Sequence, residues 1–362
     1  MALILDLVSV DSAEDGVSRE IKRRVWWTCF LVDVWSSGGS SISRQLNMTN
    51  CRPRMPVEEL MFFNLRPKEE DITDAMWKPG MWCHMVEMVE VFKEIQDLIR
   101  YLVVMTEWDE EFIETTVDGL AVRLLAFEDR FGPELKFSPE NLVLNADRGL
   151  GRLYTGFHLG YQYYCMLLFY QYLDKNRPPT VNGATYANLC KSHARKFCDI
   201  LRLSREHKPA EALHNIIAHV TVVSSSVLLY TYIFGDASEL QDTVTRLESN
   251  MEALVQLRVY WPSVELMVSA VENPPRKHVL FLTAHQIDRL VVFLKNCVQS
   301  PTSNTHRFDK WMVKFLQEYG TPLDEKKRDE IPTFMISPEG QNSRQGQRGR
   351  TMQDVMSAFW NV

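Results

Sequence analysis

Cys190, His193 and Cys198 are the nearest approach to a metal-binding set in this 362-residue sequence. They stand in the run CKSHARKFC and fall near one face of a helix. Thiolate and imidazole suit zinc, but offsets of three and eight residues spread the trio over two helical turns, too far for one tetrahedral ion. Burial is the commoner fate of such residues, since free cysteine is among the most buried residue types. No metal ligand is expected in this chain. His214 and His219 lie five apart and diverge around a helix, which suits a structural role better than catalysis. Tyr161, Tyr163, Tyr164, Phe169, Tyr170 and Tyr172 could line a pocket for a hydrophobic small-molecule effector, although core packing is the usual use of such a cluster. No G-x-S-x-G, phosphate-binding loop, dinucleotide fingerprint or H-E-x-x-H is present. The chain is therefore not expected to be an enzyme, and no catalytic residue and no cofactor is expected.

Charge narrows the classes further. The net charge is −7, and the one dense basic run is Arg19, Lys22, Arg23 and Arg24, inside a tryptophan-rich segment. Proteins that grip a nucleic-acid backbone need exposed basic clusters, so direct DNA contact by this body is not expected. Seven cysteines with no C-x-x-C pair argue against a disulfide framework and a structural zinc site. MALILDLVSV is apolar but lacks a basic leader and a cleavage pattern, so no signal peptide is read there and a reducing compartment is expected.

These residues need elements to hold them, and the elements read as helices. Met85, Met88, Phe92, Ile95, Ile99 and Leu102 recur at helical steps over 80–105. Ile113, Val117, Leu120, Leu124, Phe127 and Phe131 do so over 109–131, with Asp109–Glu111 at the start, where the helix dipole favours acids. Leu240, Val244, Leu247, Met251, Leu254 and Leu257 form a third stripe over 237–258, with Asp236 and Glu239 spaced as a capping box. That stripe is too short for a coiled-coil assignment and suits packing inside a bundle. Residues 153–173 and 216–235 contain no charged side chain and are long enough to span a bilayer. Their polar groups, His158, Gln162 and Gln171, then His219 and Ser224–Ser226, favour buried core helices instead, and no membrane contact is expected. Breaks are read near 36–56, 64–80, 131–146, 175–184, 272–277 and 298–306. No strand alternation or Asn-Gly hairpin turn is found, so the fold class is all-α: a large multi-helix orthogonal bundle, one regulatory domain with a flexible C-terminal tail.

The segment EIKRRVWWTCFLVDVWSSGGSSISRQLNM, residues 20–48, is the richest in chemistry. Glu20 and Arg24 stand four apart with the acid first, the favourable order for a helical ion pair. Arg23 is four before Trp27, so its guanidinium can rest on the indole. Trp26, Phe30 and Val34 form one apolar row and Trp27, Leu31 and Trp35 another, which buries the helix on more than one side. Asp33 among them needs a partner, and a basic group from another helix would serve.

That segment resembles the signature of the fungal-specific transcription factor regulatory domain, the middle homology region of zinc-cluster regulators. The residues that carry the resemblance are Glu20, Arg23, Arg24, Trp26, Trp27, Phe30 and Asp33, followed by Ser36–Gly39. Later stretches are similar too: ATYANLCKSHARKFCDILRL, VSSSVLLYTYIF, and LESNMEALVQLRVYWPSVELM with Trp261. The family's Gly-Arg-Pro element is missing, and Ser43-Arg44-Gln45 stands there. The resemblance implies control of transcription in the nucleus, or alternatively a cytoplasmic location. It implies a homodimer or other transcription regulators as partners, a small-molecule effector, and DNA contact only through a zinc cluster. That six-cysteine cluster is absent here, and Met1 stands shortly before the Arg-Trp-Trp element. The chain is thus expected to be a truncated regulator, or else a DNA-free interaction protein that titrates or bridges full-length relatives.

By domain, residues 1–315 read as the helical regulatory body, 316–350 as a flexible polar linker and 351–362 as a short amphipathic helix. Met352, Val355, Met356 and Phe359 share a face there, with Trp360 beside them. This helix could dock in a partner's groove, or fold back over apolar surface of the body.

Overall fold

The computed structural model describes residues 15–37, 44–46, 52–67, 72–104, 109–173, 178–234 and 236–261. Among these residues there are nine α-helices and no strand, so the fold is all-α. The helices are α1 (Gly16–Ser37), α2 (Glu59–Asn64), α3 (Met81–Val104), α4 (Glu110–Asp129) and α5 (Pro139–Asp147). They continue as α6 (Gly151–Phe169), α7 (Gly183–Glu206), α8 (Asn215–Phe234) and α9 (Leu240–Tyr260). The chain divides into two compact units, with the change falling after Phe157. One helical domain was expected over 1–315; of the described part of that span, 15–157 belongs to the first unit and 158–261 to the second.

In the first unit α3 and α4 form an antiparallel pair. His84 meets Phe127, Glu94 meets Arg123 and Tyr101 meets Phe112, so residue numbers rise on one helix as they fall on the other. The apolar stripe of α4 is buried from Ile113 to Phe127, and Asp109 caps its first turn by accepting the Phe112 N–H at 3.0 Å. The periodicity read for these two helices holds, with Leu98 taking a core position beside the half-buried Ile99. α1 lies on α3, where the Gln96 side chain donates to the Val34 carbonyl at 3.3 Å.

Helix α5 corrects the break read over 131–146. Ser138 caps it through the Asn141 N–H, and Pro139 supplies a pre-set first turn. The end is equally explicit. Gly149 has φ +74, its N–H bonds to the Ala146 carbonyl, and the Leu150 N–H bonds to Asn145 at 2.8 Å. This is a Schellman closure, which glycine enters without a Cβ penalty.

The second unit is built on α7, α8 and α9, each packed on the other two. The charge-free runs are core, as expected: the C-terminal half of α6, the following 3₁₀ turn Tyr170–Leu173 and most of α8 are buried. No helix among the described residues is long and apolar enough to cross a membrane. The hydroxyls of α8 find partners inside the core. Thr221, Ser225 and Thr231 return to carbonyls four residues back, and Ser224 donates across to Ala194 on α7. Val244, Leu247, Leu254 and Leu257 on α9 are buried, so that stripe serves packing within the chain. The capping box read at Asp236 and Glu239 is corrected. Glu239 makes no side-chain cap and accepts from Arg195 at 2.7 Å.

Candidate functional site

The signature segment is the natural place to build a site, and α1 holds all of its residues from Glu20 to Asp33. Trp26, Trp27, Phe30, Leu31 and Val34 are buried, and their aromatic rings meet edge-on. Trp26 and Trp27 stand 4.9 Å apart, Trp27 and Phe30 5.6 Å apart. Trp35, read as part of a second buried row, is 38% exposed, because the row turns off the core as the helix advances.

Beneath the tryptophans sits a charged knot. Glu20 Oε1 accepts from Arg24 Nε at 3.0 Å and from the Val57 N–H at 3.0 Å. Its other oxygen lies 3.8 Å from Arg23 Nη1. Arg24 donates to the Val57 carbonyl at 2.6 Å and spreads over the Phe62 ring, 4.3 Å from its centre. Trp27 Nε1 donates to the Arg54 carbonyl at 3.1 Å. Burial pushes the Glu20 carboxyl above the usual value, opposed by Arg24, the Val57 amide and Arg23. Arg23 is only 3% exposed, and Arg24 is turned to Val57 and Phe62, so these two members of the basic run are used inward.

The knot fastens the chain over 52–58, and that chain in turn positions the next helices. Arg54 donates to the Ile72 and Thr73 carbonyls, and Trp77 Nε1 to Met55. Glu58 caps α2, while the buried Glu59 accepts the Met81 and Trp82 N–H groups and so caps α3. Gly80 must be glycine here, since a Cβ would stand 2.3 Å from Glu59 Oε2 and 2.8 Å from the Glu58 Cα. Asp33 is half-buried, and its carboxylate accepts the Gln45 and Leu46 backbone N–H groups. Arg44 beside them pairs with Asp97 at 2.8 Å. Glu20, Arg23, Arg24, Trp26, Trp27, Phe30 and Asp33 therefore hold backbone and core. Trp261 does likewise at the end of α9, donating to the Leu213 carbonyl at 2.6 Å.

The trio weighed for metal also goes to packing. Cys190 faces the Met166 carbonyl, Cys198 the Arg246 carbonyl, and His193 Nδ1 lies 2.7 Å from Gln162 Oε1. Desolvation, helped by Lys196, pushes the His193 imidazole down to about 3, so it stays neutral. Burial pushes the Cys190 thiol up, and that of Cys198 to about 11. Among the described residues no cluster of histidine, cysteine and carboxylates is placed to hold a metal. His214 is exposed before α8, and His219 meets the Tyr163 hydroxyl at 3.1 Å. The tyrosine cluster is packed: Phe169 stacks on Tyr186, Tyr172 meets Tyr186 edge-on, and Tyr170 bonds Ser226. Met352, Val355, Met356, Phe359 and Trp360 lie outside the described residues, as do 316–350.

Sequence reasoning missed the support of the knot. Val57, Glu59 and Arg54 act over long separations that helical spacing does not encode; the two acids before a short apolar run at 58–63 were the available signal. No family model, curated protein or solved structure matches this chain.

Proposed function

We propose that this chain is a regulatory body of a zinc-cluster-type transcription regulator, acting through a partner or an effector in the nucleus. DNA contact, in this reading, belongs to a zinc cluster outside these 362 residues. One observation carries it: Glu20, Arg23, Arg24, Trp26, Trp27 and Phe30, which resemble that family's signature in order, converge on one buried knot in α1. The inward use of Arg23 and Arg24 agrees with a body that leaves DNA to another module.

Two measurements test the reading. The full chain, fused to an unrelated DNA-binding domain, is expected to change transcription from a reporter relative to that domain alone. Indistinguishable output would remove the regulatory assignment. Mapping the 5′ end of the transcript is expected to find an in-frame six-cysteine cluster upstream. Its absence would leave a DNA-free protein that titrates or bridges regulators.

A further inference from the structure

The outward side of α9 changes character along its length. Glu248, Glu252, Val255 and Val259 follow at steps of four, three and four, so they share one face, and all four are exposed. The acidic half works against itself: burial and the neighbouring Glu252 hold the Glu248 carboxyl above its usual value. Glu252 lies 3.4 Å from Arg205, whose Nη2 stands closer to Ser249, at 2.9 Å.

The other half is apolar. Val259 is 80% exposed, and Tyr260, Trp261 and, at the start of α8, Ile216 add to the same end of the helix pair. The Trp261 indole, bonded to the Leu213 carbonyl, fixes the end of α9 against the chain that enters α8. Large apolar side chains gathered in one place mark a surface that another element covers.

Two properties of the chain identify that element. The described residues end at Trp261, on the patch itself, so the segment that follows starts where the cover is needed. Its sequence also carries the counterpart of the α9 row. Ile287, Val291, Leu294 and Val298 stand at steps of four, three and four, with Lys295 beside Leu294. Laid antiparallel as a helix, Ile287 falls level with Val259, Val291 with Val255, and Lys295 with Glu252, one turn from Glu248. Laid parallel, Ile287 and Val291 would meet the two carboxylates, and Lys295 would fall beside Val255. Residues 262–286 leave ample length for the reversal, since antiparallel helices can be joined by a few residues.

We infer that residues 287–298 dock antiparallel on the outward face of α9 and cover its apolar end. The contact lies within one chain and does not depend on a role in transcription.

Cross-linking in the full chain, carrying Cys297→Ser, tests it. Val255→Cys with Val291→Cys should form a disulfide under mild oxidation, found by mass spectrometry as a linked peptide pair in a monomer. Val255→Cys with Ile287→Cys, one turn out of register, should link far more slowly. Glu252→Lys should speed chymotryptic cleavage after Phe293 roughly tenfold, since the protease reaches only the undocked segment. Adding Lys295→Glu should restore the native rate. A disulfide formed only between chains overturns the inference and makes the face a contact between copies. So does equal linkage at both registers, or a cleavage rate that Glu252→Lys leaves unchanged.

Discussion

Glu20 shows how one side chain can be indispensable without being reactive. It answers two guanidinium groups and a backbone amide at once, in a place water does not reach. Removing one member of a buried charged set leaves the others unpaired, at a cost of about 3 kcal/mol. Glu20→Ala should therefore lower stability by roughly that amount in a urea titration, and a change under about 1 kcal/mol would show that the knot is replaceable. Part of this site was legible. The four-residue spacing from Glu20 to Arg24 announced the ion pair, but Val57, thirty-seven residues away, gave no local sign that its amide would complete it.

His193 provides a second test at this scale, through pH. Its folded value is pushed down to about 3, while in the unfolded chain it titrates near its model value of 6.5. Above pH 6.5 neither state takes the proton and its neutral form costs nothing. As pH falls from 6.5 toward 3 the unfolded state alone is protonated, so stability drops by about 1.4 kcal/mol per unit. His193→Gln keeps a polar group facing Gln162 and removes the titration. Between pH 6.5 and 5 its unfolding midpoint should fall less steeply than that of the native protein; parallel curves would contradict the buried neutral imidazole.

At the level of elements, the long helices were legible and the short ones were not. α3, α4 and α9 each repeat an apolar stripe often enough for period alone to reveal them, and α8 shows as a charge-free run. α2 and α5 run six and nine residues and rest on their ends: Glu58 starts one, Ser138 with Pro139 starts the other, and Gly149 closes it. Ends are local hydrogen-bond arrangements, and a window tuned to stripes passes over them. Gly149→Ala should cost about 1 kcal/mol, since alanine must then enter the left-handed region. Gly80→Ala should cost more, because both a carboxylate and a backbone atom occupy the space its methyl needs. Gly119→Ala runs the other way. With open space around the new methyl, it should stabilise α4 by about 0.5–1 kcal/mol, read as a raised thermal midpoint. A fall in that midpoint would mean the glycine has a role inside the chain.

Over the whole molecule, five of the cysteines lie in described positions and all five are free thiols. Cys83, Cys165, Cys190 and Cys198 are buried; burial, with Glu87 beside it, holds Cys83 up to about 12. A thiol that is both hidden and protonated meets an alkylating reagent only when its surroundings open, because the thiolate is the nucleophile. The first unit carries Cys83 and the second carries the other three, so the chain holds its own reporters of opening. Peptide-resolved labelling over time would time the breathing of each unit separately, with Cys29, half-buried on α1, as the fast reference.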